Sequence, residues 1–250
     1  MESVPSHADT YVDRVTELIR DTYRSQRQQI SEVAGVFSEA IKESRSIWAF
    51  GCTHAAAMAA ELYYRAGGLI PIKGIFGPGL WLDQQPVTRT SYLEGLEGYG
   101  KAILSDLDLK ANDVAIVIST SGRNAVPIEV ALECKAKGLY VLGLTSVPYS
   151  KAVYSRHSSG KRLFEVVDSY IDNGVPAGDA LLDYSTNDGS SIRACPGSTV
   201  TGAVLLNAVV AEVIGDLIES GFDPPVFVSG NLDGGTEQNR KRMETWSSRG

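Results

Sequence analysis

Three consecutive hydroxyls and a glycine, Ser119-Thr120-Ser121-Gly122, lead into Arg123 and Asn124. They follow the apolar run Val114-Ala115-Ile116-Val117-Ile118 and precede a helix-like stretch from Ala125 to Lys137. A strand, a hydroxyl-rich glycine turn and a helix start form an anion cradle. Free backbone N–H groups and the positive end of the helix macrodipole face the turn. Ser and Thr hydroxyls donate to the same oxygens. Ser119, Thr120, Ser121, Gly122 and Asn124 are therefore expected to hold a small molecule bearing a phosphate or a similar anion. Arg123 either balances that charge or is a solvated surface arginine.

Two other loops have the same character. Gly51-Cys52-Thr53-His54 ends an apolar run and opens a helix-like stretch, and Thr145-Ser146 follows another apolar run. Gly51 and Thr53, with Thr145 and Ser146, are expected to line the ligand site. The chain has neither a GxGxxG fingerprint nor a P-loop GK[ST], which argues against NAD and ATP as ligands. His54 and Glu61 are seven residues apart, which places them on one helix face about 10.5 Å apart along the axis. Arg65 follows four residues later on that face. Glu61 is either half of a surface pair worth about 0.3–0.5 kcal/mol or a functional carboxylate on an apolar helix, since Ala56, Ala57, Met58, Ala59 and Ala60 surround it. The segment Ser155-Arg156-His157-Ser158-Ser159-Gly160-Lys161-Arg162 is basic and rich in hydroxyls. It reads either as an exposed loop or as the side from which His157 and Lys161 complete the site. The His and Cys residues lack metal-ligand spacing, so no metal is assigned. Asp179, Asp183 and Asp188 read as solvated loop acids. A serine hydrolase is disfavoured because the chain lacks a GxSxG elbow.

The elements that must position these residues alternate along the chain. Residues 9–44 read as a long helix, with Val12, Val15, Leu18, Ile19, Ile30, Val33, Phe37 and Ile41 at helical spacing and Ser6 or Asp9 as its cap. Strands are expected at 47–50, 69–76, 114–118, 139–144 and 164–171. Helices are expected at 53–65, 93–107, 125–137 and 199–219, the last two stopped at Gly138 and Gly221. Residues 77–92 and 172–198 read as loops, and the tail after Asp223-Pro224-Pro225 as irregular or helical. Strands alternating with helices imply a parallel sheet covered on both faces, with ligands beyond the carboxyl ends of the strands.

The 250 residues suffice for one large α/β domain, with 43% hydrophobic and 21% charged residues and a net charge of −7. That charge argues against a nucleic-acid surface. Cys52, Cys134 and Cys195 are odd in number and form no CxxC, as expected in a reducing cytoplasm. The N-terminus lacks the apolar core of a signal peptide. The apolar stretch Thr199 to Ile218 is interrupted by Asn207, Glu212 and Asp216. It reads as a buried helix rather than a membrane span.

The 119–124 turn, set after a middle strand, resembles the signature of the sugar isomerase (SIS) domain family. Gly51 to His54 matches that family's first ligand loop and Thr145-Ser146 its third. Further stretches resemble a subgroup of uncharacterised SIS proteins related to phosphoheptose isomerase. They are Glu61 through Gly68, Ser119 through Ile128, Ser155 through Leu163, Ile171-Asp172-Asn173 with Gly178-Asp179-Ala180, and Asn231 through Gly235. The resemblance implies a flavodoxin-like three-layer α/β/α sandwich with a five-stranded parallel sheet. It also implies a single SIS domain over residues 1–250: an N-terminal helix over 1–45, an α/β core over 46–220 and a C-terminal tail over 221–250. Assembly into dimers or tetramers with sites near subunit interfaces is implied as well.

Family members bind phosphosugars, or in some cases a sulfosugar such as sulfoquinovose, and many interconvert aldoses and ketoses. Others are etherases, deaminating isomerases or non-catalytic regulators. The first loop departs from the family pattern GxGxS, with alanine where a serine hydroxyl is expected. Phosphoheptose isomerases take a glutamate from the first helix, near Glu61, and a histidine from the last large helix. That helix here has none, only Asn207 and Glu212 as polar candidates. The expectation is an aldose–ketose isomerase for a sugar with a terminal anionic group. Glu61 is its base, His54 or His157 serves ring opening, and Arg123 or Lys161 supplies charge. Such a reaction needs no cofactor. The alternatives are a sugar-phosphate sensor and an amino-sugar etherase.

Overall fold

The computed structural model describes residues 5–249; the start of the chain, where the signal-peptide reading begins, lies outside them. Helix α1, His7–Lys42, starts with a reciprocal capping box. The Ser6 hydroxyl accepts from the Asp9 amide, and the Asp9 carboxylate accepts from the Ser6 amide. Five strands follow: β1 (Ile47–Gly51), β2 (Ile72–Ile75), β3 (Val114–Ile118), β4 (Tyr140–Thr145) and β5 (Ser169–Asp172). They form one parallel sheet in the order β2-β1-β3-β4-β5. This is the expected flavodoxin-like arrangement, in which the strand order reverses between β1 and β3.

The pleat sorts the strand side chains into two cores. Ile47, Ala49, Ile116, Ile118, Leu142 and Leu144 face one side. They pack with α1 residues such as Ile30, Val33 and Phe37 and with α2 (His54–Leu62) and α7 (Ser198–Glu219). Trp48, Phe50, Ala115, Val117 and Val141 face the other side and pack with α5 (Ala125–Ala136). This gives the three-layer sandwich expected from the alternating pattern. Helix α7 is long and apolar enough to cross a membrane. Its Leu205, Leu206, Val209, Val213 and Leu217 are instead buried in the core against α1 and α2.

Several boundaries differ from those expected, each for a local reason. The expected helix over 93–107 is two helices, α3 (Thr88–Glu94) and α4 (Tyr99–Leu104). They are broken at Gly95 and at Gly98, whose φ is +87°. Helix α3 thus occupies part of the segment read as a loop. Helix α2 ends at Leu62: its C-cap Tyr63 is extended, with φ −91° and ψ 133°, and Tyr64 follows at a φ of +46°. The strand expected over 164–171 is a 3₁₀ turn at Leu163–Glu165 followed by β5. Residues 172–198 contain an antiparallel hairpin, β6 (Leu182–Ser185) and β7 (Ser191–Ala194). It reverses through a turn in which Gly189 has a φ of +82°. A short helix α6, Val147–Lys151, follows β4. The tail ends in α8, Gly235–Ser247.

Gly51 is where the sheet meets the ligand loops. A Cβ there would lie 2.4 Å from both the carbonyl carbon and the oxygen of Ala55 and 2.8 Å from the Ala56 nitrogen. All three are backbone atoms at the start of α2. Gly51→Ala is therefore expected to cost about 1–3 kcal/mol, the range for an overpacked site. Chemical denaturation measures that loss, and an unchanged midpoint would show that the β1–α2 turn has room.

Candidate functional site

A cavity of about 340 Å³ opens beyond the carboxyl ends of β1 and β3. Its wall comprises Cys52, Thr53, His54 and Ala55 from the loop after β1, Ser119, Thr120, Ser121 and Asn124 from the loop after β3, Glu94 from α3, Tyr149 from α6, and residues around the starts of β6 and α7. The sequence signals thus bring six expected residues together: Thr53, His54, Ser119, Thr120, Ser121 and Asn124. Among the described residues, the wall has neither lysine nor arginine; its charged members are Glu94 and Asp179.

Two helix N-termini point their amides at the cavity without side-chain caps. Thr53, the N-cap of α2, has a φ of +55° and its hydroxyl caps nothing. Asn124, the N-cap of α5, is extended, and its side chain likewise makes no capping bond. Instead the Asn124 Oδ1 accepts from Arg156 Nη1 at 3.0 Å. In α5 the Ala125 and Val126 amides remain available to an anion, whereas in α2 the Ala55 and Ala56 amides already donate to the Cys52 and Thr53 carbonyls at 3.0 and 3.1 Å. Helix α7 differs. Asp179 accepts from the amides of Gly197 and Ser198 at 3.0 and 2.9 Å and from the Ser198 hydroxyl at 2.5 Å. A protein carboxylate therefore already occupies that helix end.

Other expected residues lie behind or beside the wall. Thr145 and Ser146 are fully buried. The Thr145 hydroxyl and the Ser146 amide donate to the Thr120 carbonyl at 3.2 and 2.8 Å, and the Ser146 hydroxyl donates to the Val175 carbonyl at 2.6 Å. Both prop the turn from below rather than line the cavity. Gly122, at a φ of +59°, leaves no space for a Cβ: Ser150 Oγ would be 2.9 Å away and Thr145 Oγ1 3.0 Å. Arg123 turns its Nε to the Tyr154 carbonyl at 2.9 Å. His157 pairs through Nδ1 with the Ser159 hydroxyl at 2.7 Å, and Lys161 is exposed. Neither lines the cavity. Glu61 is outside it too. It is 38% exposed, forms an ion pair with Arg65, and accepts from Asn207 Nδ2 at 3.4 Å.

Sequence reasoning did not single out Glu94, which is half-buried in the cavity wall. Burial pushes its carboxyl up from the ordinary value, opposed by a hydrogen bond with the Asn124 side chain and by the charge of Arg156. Cys52 stands close by. Burial, and then the Glu94 charge, push its thiol well up, so it is not a thiolate nucleophile near neutral pH. The site combines an anion cradle of neutral donors, an exposed imidazole at His54, and a carboxyl poised to move a proton.

A crevice at a strand-order reversal, lined by a hydroxyl turn at a helix start, belongs to a three-layer α/β protein of flavodoxin-like strand order. The SIS domain model matches residues 10–146, and the chain belongs to the SIS domain family. A UPF0309 protein of Geobacillus thermodenitrificans is 42% identical over 241 residues, covering 96% of this chain and 95% of its own length. One from Shouchella clausii is 42% identical over 239 residues, 96% of each chain. Among solved structures, the phosphoheptose isomerase GmhA from Neisseria gonorrhoeae is similar with a TM-score of 0.53 and 15% identity, over 82% of this chain and 95% of that one. The sugar isomerase domain of an RpiR transcription factor from Sphaerobacter thermophilus is similar with a TM-score of 0.51 and 13% identity, over 98% and 97%. At such identities the likeness to these two structures is one of fold.

The capping role of Asp179 has a measurable consequence. Asp179→Ala removes the acceptor for two amides and a hydroxyl at the start of α7. It is expected to lower stability by about 1–2 kcal/mol, as loss of a strong N-cap does. A denaturation midpoint equal to that of the parent protein would show that solvent replaces the cap without cost.

Proposed function

We propose that this protein is an aldose–ketose isomerase acting on a sugar with a terminal phosphate or sulfonate. The observation that carries the reading is Glu94: a carboxyl raised by burial shares one cavity with the hydroxyl turn and two uncapped helix ends. The terminal anion accepts hydrogen bonds from Ser119, Thr120, Ser121 and the first amides of α5. The open-chain sugar then extends toward His54 and Glu94.

In the reaction the base removes the proton from C2, and the electron pair forms the C1–C2 double bond of an enediol as the carbonyl oxygen gains a proton. Return of a proton to C1 and loss of the O2 proton leave a ketose. Atoms and electrons balance within the sugar, so the reaction consumes no cofactor. His54, exposed at the start of α2, is placed to donate to the ring or carbonyl oxygen. Glu61 was the expected base, but its position beside Arg65 and Asn207 favours Glu94 for a site built within one chain. Assembly into dimers or tetramers is part of this reading. It is supported by Val200, Val204 and Ile218, which lie exposed along one side of α7. A cytoplasmic location is also part of it, supported by the cysteine pattern.

The carboxylate accepts a proton only when ionised. Because the Glu94 pKa is raised above 4.5, the acid limb of kcat/KM is expected above that pH, with activity falling as the pH drops through it. An NMR screen of 6-phospho and 6-sulfo aldoses in deuterium oxide follows exchange at C2. Glu94→Gln is expected to slow that exchange by roughly 10²–10⁴-fold, and Glu61→Gln is run in parallel. Exchange lost in the Glu61 variant and kept in the Glu94 variant would move the base to Glu61. Sugar binding with no exchange in the parent protein would make it a sensor.

A further inference from the structure

Thr53 is held in a backbone conformation that suits glycine. Its φ of +55° and ψ of −124° are the mirror image of the extended region, where a β-branched side chain is strongly disfavoured. Main-chain hydrogen bonds fix both torsions. The Thr53 amide donates to the carbonyl of the buried Leu80 at 2.7 Å. The Ala55 amide donates to the Cys52 carbonyl at 3.0 Å, and the Ala56 amide donates to the Thr53 carbonyl at 3.1 Å. A glycine would make all three bonds without strain, so the turn itself does not need a side chain. The Thr53 hydroxyl does not cap α2 either. What the side chain does is contribute, half-buried, to the wall of the 340 Å³ cavity.

We propose that Thr53 is a specificity-determining residue whose hydroxyl holds a hydroxyl of the bound sugar. A strained, over-determined conformation on a cavity wall points to use by a ligand, because it lowers the stability of the free protein. Position along the wall indicates which part of the ligand is met. The pairing of Gly51 with Ile118 sets the loop after β1 beside the hydroxyl turn, and Thr53 is followed directly by His54, at the reacting end of the sugar. The chemistry agrees. The oxygens of a terminal anion accept hydrogen bonds, and Ser119, Thr120, Ser121 and the first amides of α5 supply donors for them. A threonine hydroxyl both donates and accepts, which matches a sugar hydroxyl. The identity of the ligand as a sugar rests on the reading proposed above, whereas the strain at Thr53 does not.

The test pairs stability with binding in three variants. Thr53→Gly relieves the strain and removes the hydroxyl, Thr53→Val keeps the β-branch and removes the hydroxyl, and Thr53→Ser keeps the hydroxyl. The probes are glucose 6-phosphate, mannose 6-phosphate and their 6-sulfo counterparts, with inorganic phosphate as the bare anion, all measured by calorimetry. Thr53→Gly is expected to unfold at a higher denaturant midpoint than the parent, since the strain relieved outweighs the added freedom of the unfolded chain. Both Thr53→Gly and Thr53→Val should bind the sugar anions roughly 2–10-fold more weakly, the effect of one neutral hydrogen bond, and inorganic phosphate as the parent does. Thr53→Ser should retain the parent affinities. A midpoint that is unchanged or lower in Thr53→Gly overturns the proposal, as do unchanged sugar affinities in Thr53→Gly and Thr53→Val. An equal loss of inorganic phosphate binding would place Thr53 on the anion and overturns it too. So does a parent protein that binds none of the sugar anions more tightly than inorganic phosphate. A parent that binds a sugar anion without exchanging its C2 proton refutes the isomerase reading alone and leaves the role of Thr53 to these comparisons.

Discussion

The site depends on the parallel register of β1 with β3. Gly51 pairs with Ile118, so Cys52 and Ser119 leave the sheet side by side, about 4.8 Å apart on adjacent strands. Slipping that pairing by two residues would displace one loop from the other by about 6.6 Å. The strand order reverses at the same place. The chain passes from β1 toward β2 on one side and from β3 toward β4 on the other, which leaves the crevice open. Gly51 then lets α2 begin immediately above the sheet, its first carbonyls where a side chain would otherwise stand.

Electrostatics follow from that geometry. Parallel strands each deliver a following helix with its N-terminus at the same edge, so positive helix ends gather there without any lysine or arginine. The protein leaves the ends of α2 and α5 without side-chain caps but fills that of α7 with Asp179. The uncapped ends flank the hydroxyl turn. A carboxyl in such surroundings is held between two opposed effects. Burial favours its neutral form, while donors such as Asn124 favour its ionised form. That balance brings a glutamate toward the range in which it can both accept and return a proton.

Much of this was legible in the sequence because it is local. The β-branched run 114–118, the hydroxyl turn and the helix start at Ala125 are contiguous, and each residue's role follows from its immediate neighbours. Glu94 was hidden for the opposite reason. It sits in a stretch whose apolar spacing suggested one helix over 93–107. The breaks at Gly95 and at the left-handed Gly98, with the Gly98 and Gly100 amides anchored on Glu129, divide that helix, and Glu94 at the end of α3 lines the cavity. The hairpin β6–β7 was missed because its strands are four residues long and carry weak alternation. Thr145 and Ser146 were assigned to the right loop, but whether a hydroxyl faces a ligand or a neighbouring carbonyl is decided by packing.

Glu61 shows how far helical periodicity reaches. Seven residues of helix bring His54 and Glu61 onto one face, yet separate them by about 10.5 Å along the axis. His54 lies in the first turn of α2, at the cavity mouth. The rise that aligns the two side chains therefore carries Glu61 out of the space His54 borders, toward Arg65 and Asn207. Apolar neighbours along one helix describe that helix. Whether a carboxyl is desolvated depends on what packs against it from elsewhere, and that condition is met at Glu94, which shares its cavity wall with the loop after β1 and the turn before α5.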